Sequence, residues 1–192
     1  MERGGEAAAE AEGRWRKATA RRAPPRQGGV MLAIVALGSN LADRRAHLDA
    51  GLAALASLGA VTPSPLVMET PDESGRGPAY LNTVALLQTP LRDPRHVLEA
   101  LLRLELAAGR DRSEGRNAPR TLDLDLITLG GVTGTWTWPS PPDLAPHLGP
   151  ELGLTLPHPR ALGRTFVVEP WRALENAVKG LTARCEGVIP RG

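Results

Sequence analysis

The segment Gly109–Leu129 reads GRDRSEGRNAPRTLDLDLITL, an arginine-rich half followed by a half in which Leu and Asp alternate. This alternation predicts a half-buried strand, because successive side chains of a strand point to opposite faces. Asp123 and Asp125 are therefore expected on one face of the strand, and Leu122, Leu124 and Leu126 on the other.

Two carboxylates that point to one place repel each other unless a cation or a shared proton lies between them. Mg2+ commonly binds one or two carboxylates together with phosphate oxygens of a substrate. Guanidinium groups match phosphate oxygens in bidentate geometry, and the adjoining loop supplies four of them. The residues alone therefore favour a Mg2+–nucleotide site at a strand edge. The alternative is an exposed strand face with solvated charges. The arginines are Arg110, Arg112, Arg116 and Arg120.

Composition and length indicate one domain that can bury its own core, since the chain has 192 residues. Residues 1–29 carry seven basic and four acidic side chains, hence +3, whereas the whole chain carries +2. The basic character therefore belongs mainly to a terminal extension that we expect to be disordered, and it is weak evidence for nucleic-acid binding. With one cysteine and no long apolar run, we expect a cytoplasmic, monomeric protein that binds neither membrane nor nucleic acid.

Hydrophobic periodicity predicts the order strand, helix, strand, strand, helix, strand. This order indicates an α+β, ferredoxin-like domain, with a mainly antiparallel sheet and helices packed on one face. We expect the domain to span residues 30–176, with a weakly structured tail at 177–192. The expected segments are strands at 30–37, 61–69, 80–89 and 122–126, helices beginning at Asp43 and Asp93, a glycine-rich loop at 70–79 that is a candidate lid, an inserted loop at 130–153 that could hold a hairpin, and a helical stretch that ends near Leu174.

Several short motifs, in this order, resemble those of the 6-hydroxymethyl-7,8-dihydropterin pyrophosphokinases, enzymes of folate biosynthesis. The resemblance covers nearly all of residues 31–175. It rests on Ala36-Leu-Gly-Ser-Asn-Leu41, Glu69-Thr-Pro71, Tyr80-Leu-Asn82, Leu104-Glu-Leu106, Gly109-Arg-Asp-Arg112, Pro119-Arg-Thr-Leu-Asp-Leu-Asp-Leu-Ile127, Leu156-Pro-His-Pro-Arg160 and Arg164-Thr-Phe166.

The resemblance implies transfer of pyrophosphate from ATP to the hydroxymethyl group of the pterin, with release of AMP. It further implies that Asp123 and Asp125 hold two Mg2+ ions, and that Arg110 and Arg112 take part in catalysis. The residues that it places around the nucleotide are Glu105, Arg110, Arg120, His158 and Arg164. For Glu105 a solvated helix position that pairs with Arg103 is an equal alternative.

The pterin ring of such enzymes lies between two aromatic rings, and the resemblance assigns these positions to Tyr80 and Phe166. They are the only Tyr and the only Phe of the chain. Asn82 corresponds to the amide that binds the edge of the ring. Ser39 and Asn40 are expected either to help form the pterin pocket or to make a helix-entry turn, and both can hold.

Two other functions remain open on the sequence. An RNA-binding ferredoxin-like module also stacks bases on sheet aromatics and carries basic loops. The scarcity of aromatics and the acidic pair on a strand speak against it, because the carboxylates would repel phosphate in the absence of metal. A catalytically inactive relative is the second alternative, and the presence of both aspartates and both rings speaks against that.

Overall fold

A computed structural model describes residues 29–72, 75, 77–110 and 119–178. The expected extension at 1–29 and tail at 177–192 lie outside these residues except at their inner ends, and Arg112 and Arg116 also lie outside them. The elements are β1 (Met31–Ser39), α1 (Arg44–Leu55), β2 (Ala60–Pro63), β3 (Met68–Thr70), β4 (Tyr80–Thr89), α2 (Pro94–Ala107), β5 (Asp123–Leu129), β6 (Gly134–Pro139), α3 (Ala145–Leu148), β7 (Glu151–Leu156) and α4 (Thr165–Ala177).

The main sheet has the strand order β2-β4-β1-β5, and β3 pairs with the same edge of β4 as β2 does. Each of these pairings is antiparallel. The predicted α+β class and antiparallel sheet are thus confirmed. The strand expected at 61–69 is divided in two, because the chain leaves β2 at Pro63 and turns at Ser64, whose hydroxyl donates to the carbonyl of Pro170 at 2.7 Å.

Helices cover both faces of this sheet, whereas the sequence predicted helices on one face only. The predicted pair, α1 and α2, packs on one face against Val35 and Leu37 of β1. On the opposite face, α4 packs Val167 and Trp171 against Ile34. The second layer follows from β1 itself, because a strand that is apolar on both faces needs cover on both.

Both long helices of the first layer begin at an aspartate, as predicted. The side chain of Asp43 accepts a hydrogen bond from the backbone N–H of Ala46, and that of Asp93 accepts one from Arg95. Pro94 occupies the first turn of α2, where a missing backbone donor costs little. These caps set where each helix starts relative to the loops at the candidate site.

The segment expected as an inserted loop contains the hairpin of β6 and β7 and the short helix α3. Two side-chain hydrogen bonds join this segment to α2. Trp138 Nε1 donates to Glu99 at 2.9 Å, and Arg103 Nε donates to Asp143 at 2.6 Å. Leu144, which belongs to this segment, is fully buried. No helix within the described residues is long and apolar enough to cross a membrane.

We predict that Trp171→Ala lowers the free energy of unfolding by about 3–5 kcal/mol, the usual cost of removing a large buried ring. Trp171 is fully buried between α4 and the sheet. Urea denaturation followed by far-UV circular dichroism measures the effect. Arg172→Ala is the control, because this neighbour is exposed and, among the described residues, forms a surface pair with Glu169, so a change within about 0.5 kcal/mol is expected. Equal losses in both variants would contradict the assigned packing of α4.

Candidate active site

At one end of the sheet, on the face that carries α4, polar side chains follow the apolar cluster, and we call this region the recess. The strand pairing aligns Asn82, Gly38 and Asp123 in one row across β4, β1 and β5, and it aligns Ala36 with Asp125 in the row beside it. A Cβ atom at Gly38 would lie 3.1 Å from Asn82 Oδ1 and 3.8 Å from Asp123 Cβ. Glycine at this position thus lets the side chains of the neighbouring strands lie close to the backbone of β1, where a larger side chain would displace them.

Asp123 lies between two guanidinium groups. Its Oδ1 accepts from Arg110 Nη1 at 2.6 Å and from Arg120 Nη1 at 3.1 Å. Burial by itself raises the pKa of this carboxyl, but the two arginines outweigh burial and hold the pKa below its usual value. Asp123 is therefore a carboxylate at neutral pH, and the loop arginine and the strand aspartate predicted from the sequence are indeed in contact.

Asp125 points to the same side of β5, but neighbouring cations compensate its negative charge less fully. Among the described residues it forms an ion pair with Arg164, whose Nη1 is 3.8 Å from Oδ2, and 40% of its side chain is exposed. Burial, and then the negative charge of Asp123, raise the pKa of Asp125 above its usual value. The charged form of Asp125 is thus disfavoured beside Asp123, and a cation bound between the two carboxylates would relieve this repulsion.

The donor set suits a hard cation that obtains most of its ligands from elsewhere. No group of three or more His, Cys, Asp or Glu side chains that could hold a metal occurs among the described residues. Two carboxylates on one strand face are what Mg2+ uses when water and substrate phosphates complete its coordination. A site of this composition binds metal together with its substrate more readily than alone.

Glu105 of α2 is buried under β5, so the alternative of a solvated residue paired with Arg103 is wrong. Its Oε1 accepts from the backbone N–H of Leu124 at 2.6 Å, between the two aspartates in sequence. The same oxygen forms an ion pair with Arg110 Nη1. Glu105 therefore fixes both β5 and the arginine that contacts Asp123.

The two predicted aromatic residues lie on the same side of the sheet as the aspartates. Tyr80 begins β4, and its ring carbon lies 3.7 Å from the Cβ position of Gly38. Phe166 is in the first turn of α4, and the guanidinium of Arg164 is 5.4 Å from the centre of its ring. Asn82 donates from Nδ2 to Thr70 Oγ1 at 2.9 Å, while its Oδ1 faces the recess.

His158 follows β7, and its backbone N–H donates to the carbonyl of Ile127 at 2.9 Å, which ties it to β5. Burial lowers the pKa of this imidazole, although Asp125 acts in the opposite direction. The neutral form is therefore favoured at pH 7. His158 and Arg164 both interact electrostatically with Asp125, as their predicted shared site requires.

Ser39 and Asn40, which were expected either in the pterin pocket or in a helix-entry turn, both have buried side chains. Strand alternation places the side chain of Ser39 on the face of α1 and α2, opposite to the recess, and it is fully buried. Any contact of Ser39 with a ligand in the recess would therefore use its backbone. Asn40 is also buried, and its amide binds backbone groups of Arg120 and Pro78.

Sequence reasoning missed two contributors. Gly38 allows Asn82 and Tyr80 to approach the backbone of β1. Arg44 donates from Nη1 to the carbonyl of Ala79 at 2.7 Å and to Glu69 Oε1 at 2.7 Å, beside Tyr80 in the chain. Gly38 was part of a motif that carried the resemblance, and it ended an apolar strand, but neither signal assigned it a role. Arg44 had no signal, because its contacts depend on how α1 lies against β3 and β4.

The fold and the site define a class: an α+β domain in which arginines and a carboxylate pair lie on the same sheet face as an aromatic and an amide side chain. The model of the 7,8-dihydro-6-hydroxymethylpterin-pyrophosphokinase family matches residues 34–176. The chain therefore belongs to this family.

Similarity to individual proteins agrees with this membership. The chain is 33% identical to the 2-amino-4-hydroxy-6-hydroxymethyldihydropteridine pyrophosphokinase of Mycobacterium tuberculosis, over 82% of this chain and 80% of the relative. It is 43% identical to the protein of that name from Pseudomonas aeruginosa, over 50% of this chain and 60% of the relative. A folate synthesis bifunctional protein of Arabidopsis thaliana is 30% identical over 71% of this chain and 25% of the relative.

We predict that Glu105→Gln lowers the free energy of unfolding by about 1–3 kcal/mol. The amide still accepts from Leu124, but the buried Arg110 loses one of its two charged partners. Chemical denaturation measures the change, with Glu151→Gln, an exposed carboxylate of β7, as the control. If Glu105→Gln is as stable as the control, the buried ion pair does not contribute as the structure indicates.

Proposed function

We propose that this protein transfers pyrophosphate from ATP to the hydroxymethyl group of 6-hydroxymethyl-7,8-dihydropterin, giving the pterin diphosphate and AMP in folate biosynthesis. Family membership supports the reaction. The observation that carries it is the placement of Asp123 and Asp125 on the same sheet face as Tyr80 and Asn82. One site can thus hold a polyphosphate and a flat heteroaromatic ring side by side.

The nucleotide side of this proposal consists of the charged residues around β5. Arg110, Arg120 and Arg164 supply guanidinium groups that can exchange their carboxylate partners for phosphate oxygens. His158 offers an uncharged ring nitrogen as donor. Arg112 is proposed to join them from the loop, on the resemblance alone. Glu105 acts on ATP indirectly, since its carboxylate holds Arg110 and β5.

The pterin side consists of Tyr80, Phe166 and Asn82. Aromatic faces bind a planar heterocycle by stacking, and the recess above Gly38 is bordered by one such ring. The Oδ1 atom of Asn82 faces that recess as a hydrogen-bond acceptor, because its Nδ2 is engaged with Thr70. Amino and ring N–H groups of a pterin are suitable donors to it.

In the proposed reaction the hydroxymethyl oxygen attacks the β-phosphorus of ATP. A new C–O–P linkage forms, the bond from the β-phosphorus to the α,β-bridging oxygen breaks, AMP leaves, and the hydroxyl proton passes to solvent. Two Mg2+ ions held by Asp123 and Asp125 would supply neutralisation of the phosphate charges. The protein contributes positioning and electrostatic stabilisation, which is what such transfers chiefly require. Closure of loops 70–79 and 111–119 would exclude water.

Formation of AMP by the purified protein tests this function directly. Incubation with ATP and Mg2+ should give AMP only when the dihydropterin is present, and EDTA should abolish it. Formation of ADP, or of AMP at equal rates with and without the pterin, would refute the proposal. Retention of labelled RNA on a filter at physiological salt would instead support the RNA-binding alternative.

We predict that Asp125→Asn lowers kcat by about 100-fold or more, because several kcal/mol of charge stabilisation depend on the metal ligands. Steady-state AMP formation at saturating substrates measures the loss. Asp49→Asn is the matched control, since this exposed residue of α1 pairs only with Arg45 in the described structure, and its kcat should equal that of the unaltered protein. A near-native kcat for Asp125→Asn would overturn the metal assignment.

We predict that Tyr80→Ala raises the KM for the pterin about ten-fold or more, because a stacking face is lost, while the KM for ATP stays within about two-fold. Tyr80→Phe keeps the ring and should keep the pterin KM within about two-fold. Initial rates with one substrate varied at a time give both constants. An equal rise of the ATP KM in Tyr80→Ala would show that the ring does not act on the pterin specifically.

A further inference from the structure

Asn40 connects the two loops that lead into the candidate site. It follows β1 directly, and its side chain is almost wholly buried, with 1% of the residue exposed. On one side it contacts Arg120, at the end of the loop that precedes β5. On the other side it contacts Pro78, in the loop that precedes β4.

Both ends of the side-chain amide of Asn40, and its backbone N–H, have backbone partners in these loops. Oδ1 accepts from the N–H of Arg120 at 2.8 Å, and the N–H of Asn40 donates to the carbonyl of Arg120 at 3.2 Å. Nδ2 donates to the carbonyl of Pro78 at 3.3 Å. The orientation of the amide is thereby fixed, since a backbone N–H can only donate and a carbonyl can only accept.

The two loops that Asn40 contacts lead to different sides of the proposed site. The guanidinium of Arg120 binds Asp123, on the nucleotide side. Pro78 is two residues before Tyr80, on the pterin side. Arg44 supports the same loop through its hydrogen bond to the carbonyl of Ala79. The amide of Asn40 is thus a direct link between the two loops.

We propose that Asn40 is a positioning residue rather than a pterin ligand, and that its two amide atoms act on different substrates. Its oxygen fixes the segment of Arg120 and so affects ATP, whereas its NH2 group fixes the loop before Tyr80 and so affects the pterin. The assignment of each atom to a substrate rests on the proposed function. The two contacts themselves do not.

Two variants separate the atoms. Asn40→Asp keeps an acceptor for Arg120 but sets a second acceptor against the carbonyl of Pro78. It should raise the KM for the pterin about ten-fold, with the KM for ATP within about three-fold. Asn40→Ala removes both contacts and should raise both constants. A pterin ligand would behave differently, because Asn40→Ala would then raise the pterin KM alone.

Two further variants control for the charge that Asn40→Asp introduces. One disturbs the amide without a change of charge, and the other makes the same change of charge elsewhere. A Cβ atom at Gly77 would lie 3.1 Å from Asn40 Nδ2 and 3.2 Å from Asp72 Oδ2, so Gly77→Ala crowds the donor side of the amide and should raise the pterin KM more than the KM for ATP. Asn176→Asp makes the same change of charge at an exposed position of α4 and should leave both constants unchanged.

The proposal fails if Asn40→Ala leaves the KM for ATP unchanged, or if Asn40→Asp raises both constants equally. A purely structural role would change the melting temperature and neither KM, and would also refute it. If the unaltered protein forms no AMP, the proposed function fails separately. Amide hydrogen exchange then decides on Asn40: the N–H of Arg120 should exchange at the unaltered rate in Asn40→Asp and about ten-fold faster in Asn40→Ala.

Discussion

The electrostatic balance around Asp123 is the constraint on which the site depends. A carboxylate in a mostly buried position is stable only when cations compensate it, and Arg110 and Arg120 do so from two different segments. Glu105 then compensates Arg110 from beneath the strand. Asp125 is left with the weaker compensation of Arg164. Carboxylates and guanidinium groups therefore lie close together in this site. They can exchange partners when phosphate and metal bind.

The sheet makes this arrangement possible through the residues of its central strand. Toward α4, β1 presents Leu32 and Ile34, which are buried under the helix, then Ala36 at the edge of that apolar cluster, and then Gly38, whose backbone the neighbouring side chains approach closely. One strand face therefore changes from core to recess along its length. The neighbouring strands place polar side chains in that recess because antiparallel pairing aligns Asn82, Gly38 and Asp123 in one row. The position of the candidate site in the domain therefore depends on side-chain size as much as on charge.

Much of the fold was predictable because its signals are local. The alternation of Leu and Asp predicted the face of each residue in β5, and β4 begins and ends where its pattern predicts. Capping by Asp93 predicted the start of α2. The second helical layer was not predicted, since the stretch that forms α4 carries no sign of which sheet face it will cover. Its position depends on long-range packing of Trp171.

By itself, the sequence determined that two carboxylates share a strand face beside an arginine-rich loop, because a strand repeats every two residues whatever surrounds it. Only the tertiary structure decided which groups reach them. Glu105 binds the backbone of Leu124, and Asn40 joins Arg120 to Pro78, through contacts between residues far apart in the chain. Such contacts depend on how helices and loops pack against the sheet, and no local pattern encodes that geometry.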